Sequence, residues 1–369
     1  MIKILRYPWM PLIVFWIVSV ASRYLFNGLV YELDFGIYQP DGIWYTLRSL
    51  EWLGTPGTQA AAQIASWYSE NSAKQVQYLA SDLYPIPDQV WVLIAPRLLY
   101  SFLSLPFVFI MGIKGMLVIP AFSLLILMVT TVLIAKSINK LHLGFALAVF
   151  FSISPTILRW AISNTTDSLL LGLFSISALL LIKLKTNPKL IPIILVLVCL
   201  TNLTRVSTPM WLAISIVLLF SSSKLNAFWI TIVNLISTIP VLLLRPQSAF
   251  LPLQQNDDFV TKVISFPKSL VKVGFFEIAE LAVLDRLFLM LLLFALLSAM
   301  FSLKRQESQY FMAILIAVWV LGAINGNVGV NFRYQLPLVP FTIIPFLQGL
   351  ADFRKWNIGR TLNVIRKET

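Results

Sequence analysis

The sequence predicts an all-α fold, a polytopic transmembrane bundle of about ten spans with amphipathic helices in a long first external loop. Composition is the first reason. The 369 residues are 58% hydrophobic and 12% charged, with mean hydropathy +0.84, whereas a soluble domain is about 25% charged. Second, apolar runs of roughly 16–22 residues recur along the chain, the length a helix needs to cross a bilayer. They are continuous rather than alternating, which excludes a transmembrane β-barrel. Third, Lys and Arg cluster at every second run boundary, as the positive-inside rule requires.

The elements follow in order. Lys3 and Arg6 precede the run 8–26 and start the topology inside. That run has no small-residue cleavage site, so it reads as a retained first helix. Residues 31–113 form the first external loop. Within it 42–53 and 58–68 have helical amphipathic spacing, with Ile43, Leu47 and Leu50 on one face, and are expected to lie on the bilayer surface. The segment 91–113 contains Pro96, Arg97 and Pro106; it reads as a surface or re-entrant segment, the alternative being a full crossing with a shorter span failing to cross. The remaining spans are 116–137, 143–158, 165–183, 190–204, 207–222, 225–244, 286–303, 308–325 and 332–350. A second external loop, 245–285, carries Asp257, Asp258, Glu277, Glu280 and Asp285 and another interfacial helix. The chain reads as one integral membrane domain, 1–369.

This threading leaves both termini in the cytoplasm, with 15 Lys/Arg and 3 Asp/Glu inside against 13 of each outside. The whole net charge of +12 is then cytoplasmic. It reflects topology and not a nucleic-acid footprint, so no nucleic-acid partner is expected. One cysteine, Cys199, and one histidine, His142, exclude an internal disulfide, a cysteine metal cluster and a multi-histidine site. Phosphate-loop, nucleophile-elbow and zincin motifs are absent, and no cytoplasmic loop is long enough to build a nucleotide site.

The stretch 31–54, YELDFGIYQPDGIWYTLRSLEWLG, is where chemistry is expected: acids and aromatics gathered at a membrane surface. Asp41, Tyr45 and Arg48 stand at i, i+4 and i+7 and share a helical face. Trp44 and Asp34 lie in the same stretch, Asp34 as a substrate-facing acid or as an anchor holding the helix end in water. Asp41 as a helix N-cap is the structural alternative. Asp167 lies in SNTTDSLLLGLF at the outer start of a span, either a cap or a second acid facing Asp41's cavity. Arg97, Arg205, Arg245 and Arg333 are expected outside, where guanidinium groups suit a lipid phosphate. Tyr334 follows Arg333 in a span broken by Pro337 and Pro340, whose exposed backbone can line a polar cavity; a belt tyrosine and a snorkelling arginine are the alternative.

Taken together, these residues resemble the C-type (GT-C) integral-membrane glycosyltransferases, with aminoarabinose transferases and protein O-mannosyltransferases as comparisons. Asp41, Tyr45 and Gly54 match that family's D-E-x-x-Y-x-x-x-A loop and its later glycine, and Gly42 stands where the family has a second acid. Ser154–Pro155 with Asp167, Leu203–Thr204–Arg205, and Arg333–Tyr334 with Pro337 and Pro340 follow in family order. The resemblance implies a polyprenyl-phosphate-linked sugar donor, a lipid, glycan or protein acceptor, surrounding membrane lipids, and no certain cofactor beyond a divalent cation in some versions. It implies catalytic roles for Asp41 and Asp167, phosphate-facing arginines, sugar-facing Trp44 and Tyr45, and a bacterial plasma membrane. A lipid or sugar transporter is the alternative; charges collected at span ends beside long outer loops favour the enzyme.

Overall fold

The computed structural model describes residues 9–26, 37–72, 77, 80, 83–84, 95–205, 207–221, 223–243, 259–324, 333 and 335–368. Among these every regular element is helical. The helices are α1 (Trp9–Leu25), α2 (Pro40–Trp52), α3 (Gly57–Asn71), α4 (Leu98–Met111), α5 (Val118–Ser137), α6 (Leu141–Ile153), α7 (Pro155–Ala161), α8 (Thr166–Leu184), α9 (Ile191–Thr204), α10 (Thr208–Phe220), α11 (Lys224–Leu243), α12 (Phe259–Leu284), α13 (Arg286–Phe301), α14 (Gln306–Ile324) and α15 (Val339–Glu368). Each long apolar run expected from the sequence is met by one of these helices or a pair of them. Three stretches are long and apolar enough to cross a membrane: Leu98–Ser137, Thr166–Leu184 and Leu336–Phe353. The broken pair α6–α7 makes a fourth if it is one span. Broad apolar faces on α1, α12 and α13 are exposed, including Val14, Phe275 and Leu287, which fits membrane association.

The centre of the bundle is α8. All but a few of its residues are buried, and it packs against α5, α9 and α15. Its approach to α5 depends on small residues: a Cβ at Gly172 would stand 3.2 Å from Ser123, the kind of close contact that holds helices together where lipid offers no hydrophobic drive. A Trp16 N–H donated to the Ala121 carbonyl at 2.7 Å ties α1 to α5.

Two elements differ from expectation. The run 143–158 is not one rod, because Ser154 and Pro155 break it into α6 and α7 with a bend of 69°. Pro155 cannot donate to the preceding turn. The bend is clamped by Asp285, which accepts from Ser154 Oγ at 2.5 Å and from the Thr156 amide at 3.2 Å, while its other oxygen caps α13 at Phe288. Secondly, α2 is covered by protein on more than its apolar face: Ile43, Leu47 and Leu50 are buried as their spacing predicts, but Thr46, Arg48 and Ser49 are buried too.

The segment before α5 reverses on itself. Gly112 takes φ +61°, a conformation that favours glycine, and a 3-10 turn follows over Gly112–Leu117. The Tyr100 hydroxyl donates to the Met116 carbonyl at 2.6 Å, so the chain runs back along α4 instead of continuing as a 40-residue rod. At one end of this hairpin Arg48 of α2 donates to the Ala95 carbonyl. At the other the Lys114 ammonium sits 5.2 Å from the Trp67 ring centre of α3. Both ends therefore meet the α2–α3 layer.

Candidate active site

One end of the bundle brings together the start of α8, the end of α9, the turn before α15, the start of α2 and the residue before α4. Each contributes one charge. Asp41 and Asp167 hold equivalent places, in the first turns of α2 and α8, where carboxylates meet the positive end of the helix dipole. Neither is the N-cap: Gln39 and Thr165 occupy those positions. Pro40 starts α2 two residues earlier than an Asp41 cap would require, because proline suits the first helical position.

Arg333 bridges the two acids. Its Nε donates to Asp167 Oδ2 at 2.6 Å and its Nη2 to Asp41 Oδ2. Arg205, the residue that ends α9, donates to Asp167 Oδ1. Arg97 Nη1 lies 3.9 Å from Asp41 Oδ2 and donates to the Tyr45 hydroxyl at 2.8 Å. Among the described residues the cluster thus holds three guanidinium groups and two carboxylates, a surplus of one positive charge. Burial pushes the Asp41 carboxyl up, but Arg333, Arg97 and Arg205 outweigh it and hold the group at about 2, against an ordinary 3.8.

The two acids are not equivalent in access. Asp167 is 1% exposed with an arginine on each oxygen, whereas the Asp41 side chain is 38% exposed. The Arg205 turn is rigidly held. Asn202 Oδ1 accepts from the Ser207 amide and hydroxyl, and its amide donates to Asn234 Oδ1 at 2.9 Å and Ser237 Oγ at 2.7 Å on α11.

Several expected site residues go elsewhere. Arg48 shares the face of Asp41 but stands two turns, about 10 Å, along the axis; it donates to Ala95 and lies over the Trp52 ring. Tyr45 is fully buried, its hydroxyl accepting from Arg97, and Trp44 packs half-buried against the core. Asp34, Arg245 and Tyr334 lie outside the described residues.

Two residues of the site escape a sequence reading. Trp160 lies 5.1 Å beneath the Arg333 guanidinium and 5.4 Å from that of Arg159, a favourable cation–π geometry. Asn164 fills the space beside Gly42: a Cβ there would overlap its carboxamide. That carboxamide accepts from the Gln39 amide at 2.8 Å and donates to the Tyr68 hydroxyl at 2.7 Å. A signal existed, since Ser163 to Ser168 are six consecutive polar residues in a very apolar chain, and all six are buried.

The described residues do not make a divalent-cation site. No three His, Cys, Asp or Glu side chains gather among them, and a guanidinium stands between the two acids. Behind the turn of Arg333 is a cavity of about 190 Å³ between α12, α13 and α14, apolar except for Glu277 and Gln335. No protein-family model matches the chain, and no curated protein sequence matches it.

Proposed function

We propose that the chain is an integral-membrane glycosyltransferase of the C type, moving a sugar from a polyprenyl-phosphate donor to an acceptor hydroxyl on the outer face. About ten spans, both termini inside and α2–α4 outside make up the topology that goes with it. The observation that carries the reading is the pairing of an accessible carboxylate, Asp41, with three converging arginines. A general base beside an anion clamp is what inverting transfer from a lipid phosphate requires.

In the reaction the acceptor oxygen attacks the anomeric carbon and the bond from that carbon to the phosphate oxygen breaks. The acceptor proton passes to Asp41, and the electron pair leaves on the polyprenyl phosphate. Arg333, Arg97 and Arg205 offset the charge growing on that phosphate. Asp167, buried with both oxygens on arginines, positions those arginines and takes no proton. The apolar cavity beside Gln335, two residues from Arg333, suits the hydrocarbon chain of the donor.

Asp41→Asn is expected to reduce transfer from a radiolabelled polyprenyl-phosphate sugar by about a hundredfold or more, at the upper part of the usual general-base range, in protein that still folds. Near-normal turnover by this variant would sink the assignment. A transporter would instead move the intact lipid across a vesicle bilayer without releasing polyprenyl phosphate.

A further inference from the structure

The geometry points to a donor-phosphate site between Arg97 and Arg333 that Asp41's own carboxylate fills in this structure, so that the donor must displace Asp41 and in doing so releases it as the base. This inference rests on the reading above and adds to it where the phosphate sits and in what order the groups act.

Three observations lead to it. One oxygen, Asp41 Oδ2, accepts from Arg333 Nη2 and faces Arg97 Nη1 at 3.9 Å, and an anionic oxygen between two guanidinium groups is how arginines hold a phosphate oxygen. Second, only one partner in the cluster can give way. Asp167 is sealed in the core with Arg205 on its other oxygen, while Asp41 is the most exposed member. Third, Arg333 itself is fixed from two sides, by Asp167 through Nε and by the Trp160 ring beneath it. Its Nη edge is therefore presented in one direction whichever anion it meets.

The charged groups facing Asp41 come from each packed segment: Arg97 before α4, Arg205 at the end of α9 and Arg333 before α15. When a phosphate takes the two guanidinium contacts, Asp41 loses the groups that suppress its basicity. An acceptor hydroxyl arriving before the donor meets a carboxylate committed to arginine. Donor-first order follows.

The test is equilibrium binding of a short-chain polyprenyl monophosphate to the full-length protein in neutral phosphatidylcholine nanodiscs, followed by native mass spectrometry. If Asp41 competes with phosphate, Asp41→Asn binds about tenfold more tightly than the wild type, within the usual range of coupling between two ligands of one group. Glu70→Gln, an exposed acid on α3, leaves affinity unchanged, and Arg97→Gln weakens binding in both backgrounds. Should Asp41→Asn not fold, as judged by its thermal midpoint, Asp41→Ser is read in the same way. Unchanged or weaker binding by the Asp41 variants, with a wild type that binds, overturns the displacement and leaves the glycosyltransferase reading standing. A wild type that binds no lipid phosphate overturns both.

Discussion

At the residue scale, Asn164 explains why position 42 holds a glycine. Any side chain at position 42 would occupy the volume of the Asn164 carboxamide, which is buried and bonded at both ends. Gly42→Ala is therefore expected to cost about 1–3 kcal/mol, the usual range for overpacking, seen as a lower thermal midpoint. The double variant Gly42→Ala/Asn164→Ala should be no less stable than Asn164→Ala alone, because the clash and its partner are removed together. Asp41 makes a separate prediction. A carboxyl held at about 2 against 3.8 contributes stability that is complete above 3.8 and disappears as pH falls through about 2. The gap in thermal midpoint between wild type and Asp41→Asn should be constant from neutral pH to about 4, then close at lower pH.

At the element scale, α7 links the second loop to the arginine cluster. Asp285 clamps the α6–α7 bend, Arg159 reaches Glu280 of α12 at 3.8 Å, and Trp160 supports Arg333. Asp285→Ala would leave Ser154, the Thr156 amide and the Phe288 amide without this acceptor, at a cost of about 1–3 kcal/mol. Asp285→Asn, which can still accept at one oxygen and meet the Ser154 hydroxyl with its amide, should lose less. Denaturation monitored by tryptophan fluorescence compares the two. Both variants should also weaken lipid-phosphate binding, since the ring under Arg333 rides on the same helix.

At the scale of the whole molecule, the hairpin at Gly112 bears on the proposed threading. With Ala95 against Arg48 and Lys114 over Trp67, α4 begins and ends at the α2–α3 layer and need not cross. In a Cys199→Ser background, single cysteines at Gln63 and Lys114 should react with an impermeant maleimide from the outer face of whole cells. Cysteines at Lys185 and Lys304 should react only after the inner face is opened. Inner-face labelling of position 114 would restore a full crossing by α4.

Helix positions were legible in the sequence because lipid imposes them: continuous apolar runs and their flanking charges leave little else for the backbone to do. The members of the charged cluster were legible for the same reason. Asp41, Arg97, Asp167, Arg205 and Arg333 are ionisable residues placed at run ends in a chain with few charges. What they do to one another was not. The i, i+4, i+7 spacing puts Arg48 on Asp41's face but says nothing of the 10 Å rise between them, and Arg97, 56 residues away, takes that place instead. Nor does spacing tell an acid with two arginines from one with an open oxygen. Only the packing of α8 at the centre and α2 at the end buries Asp167 and leaves Asp41 accessible. That difference follows from contacts between segments up to 292 residues apart, which no local pattern encodes.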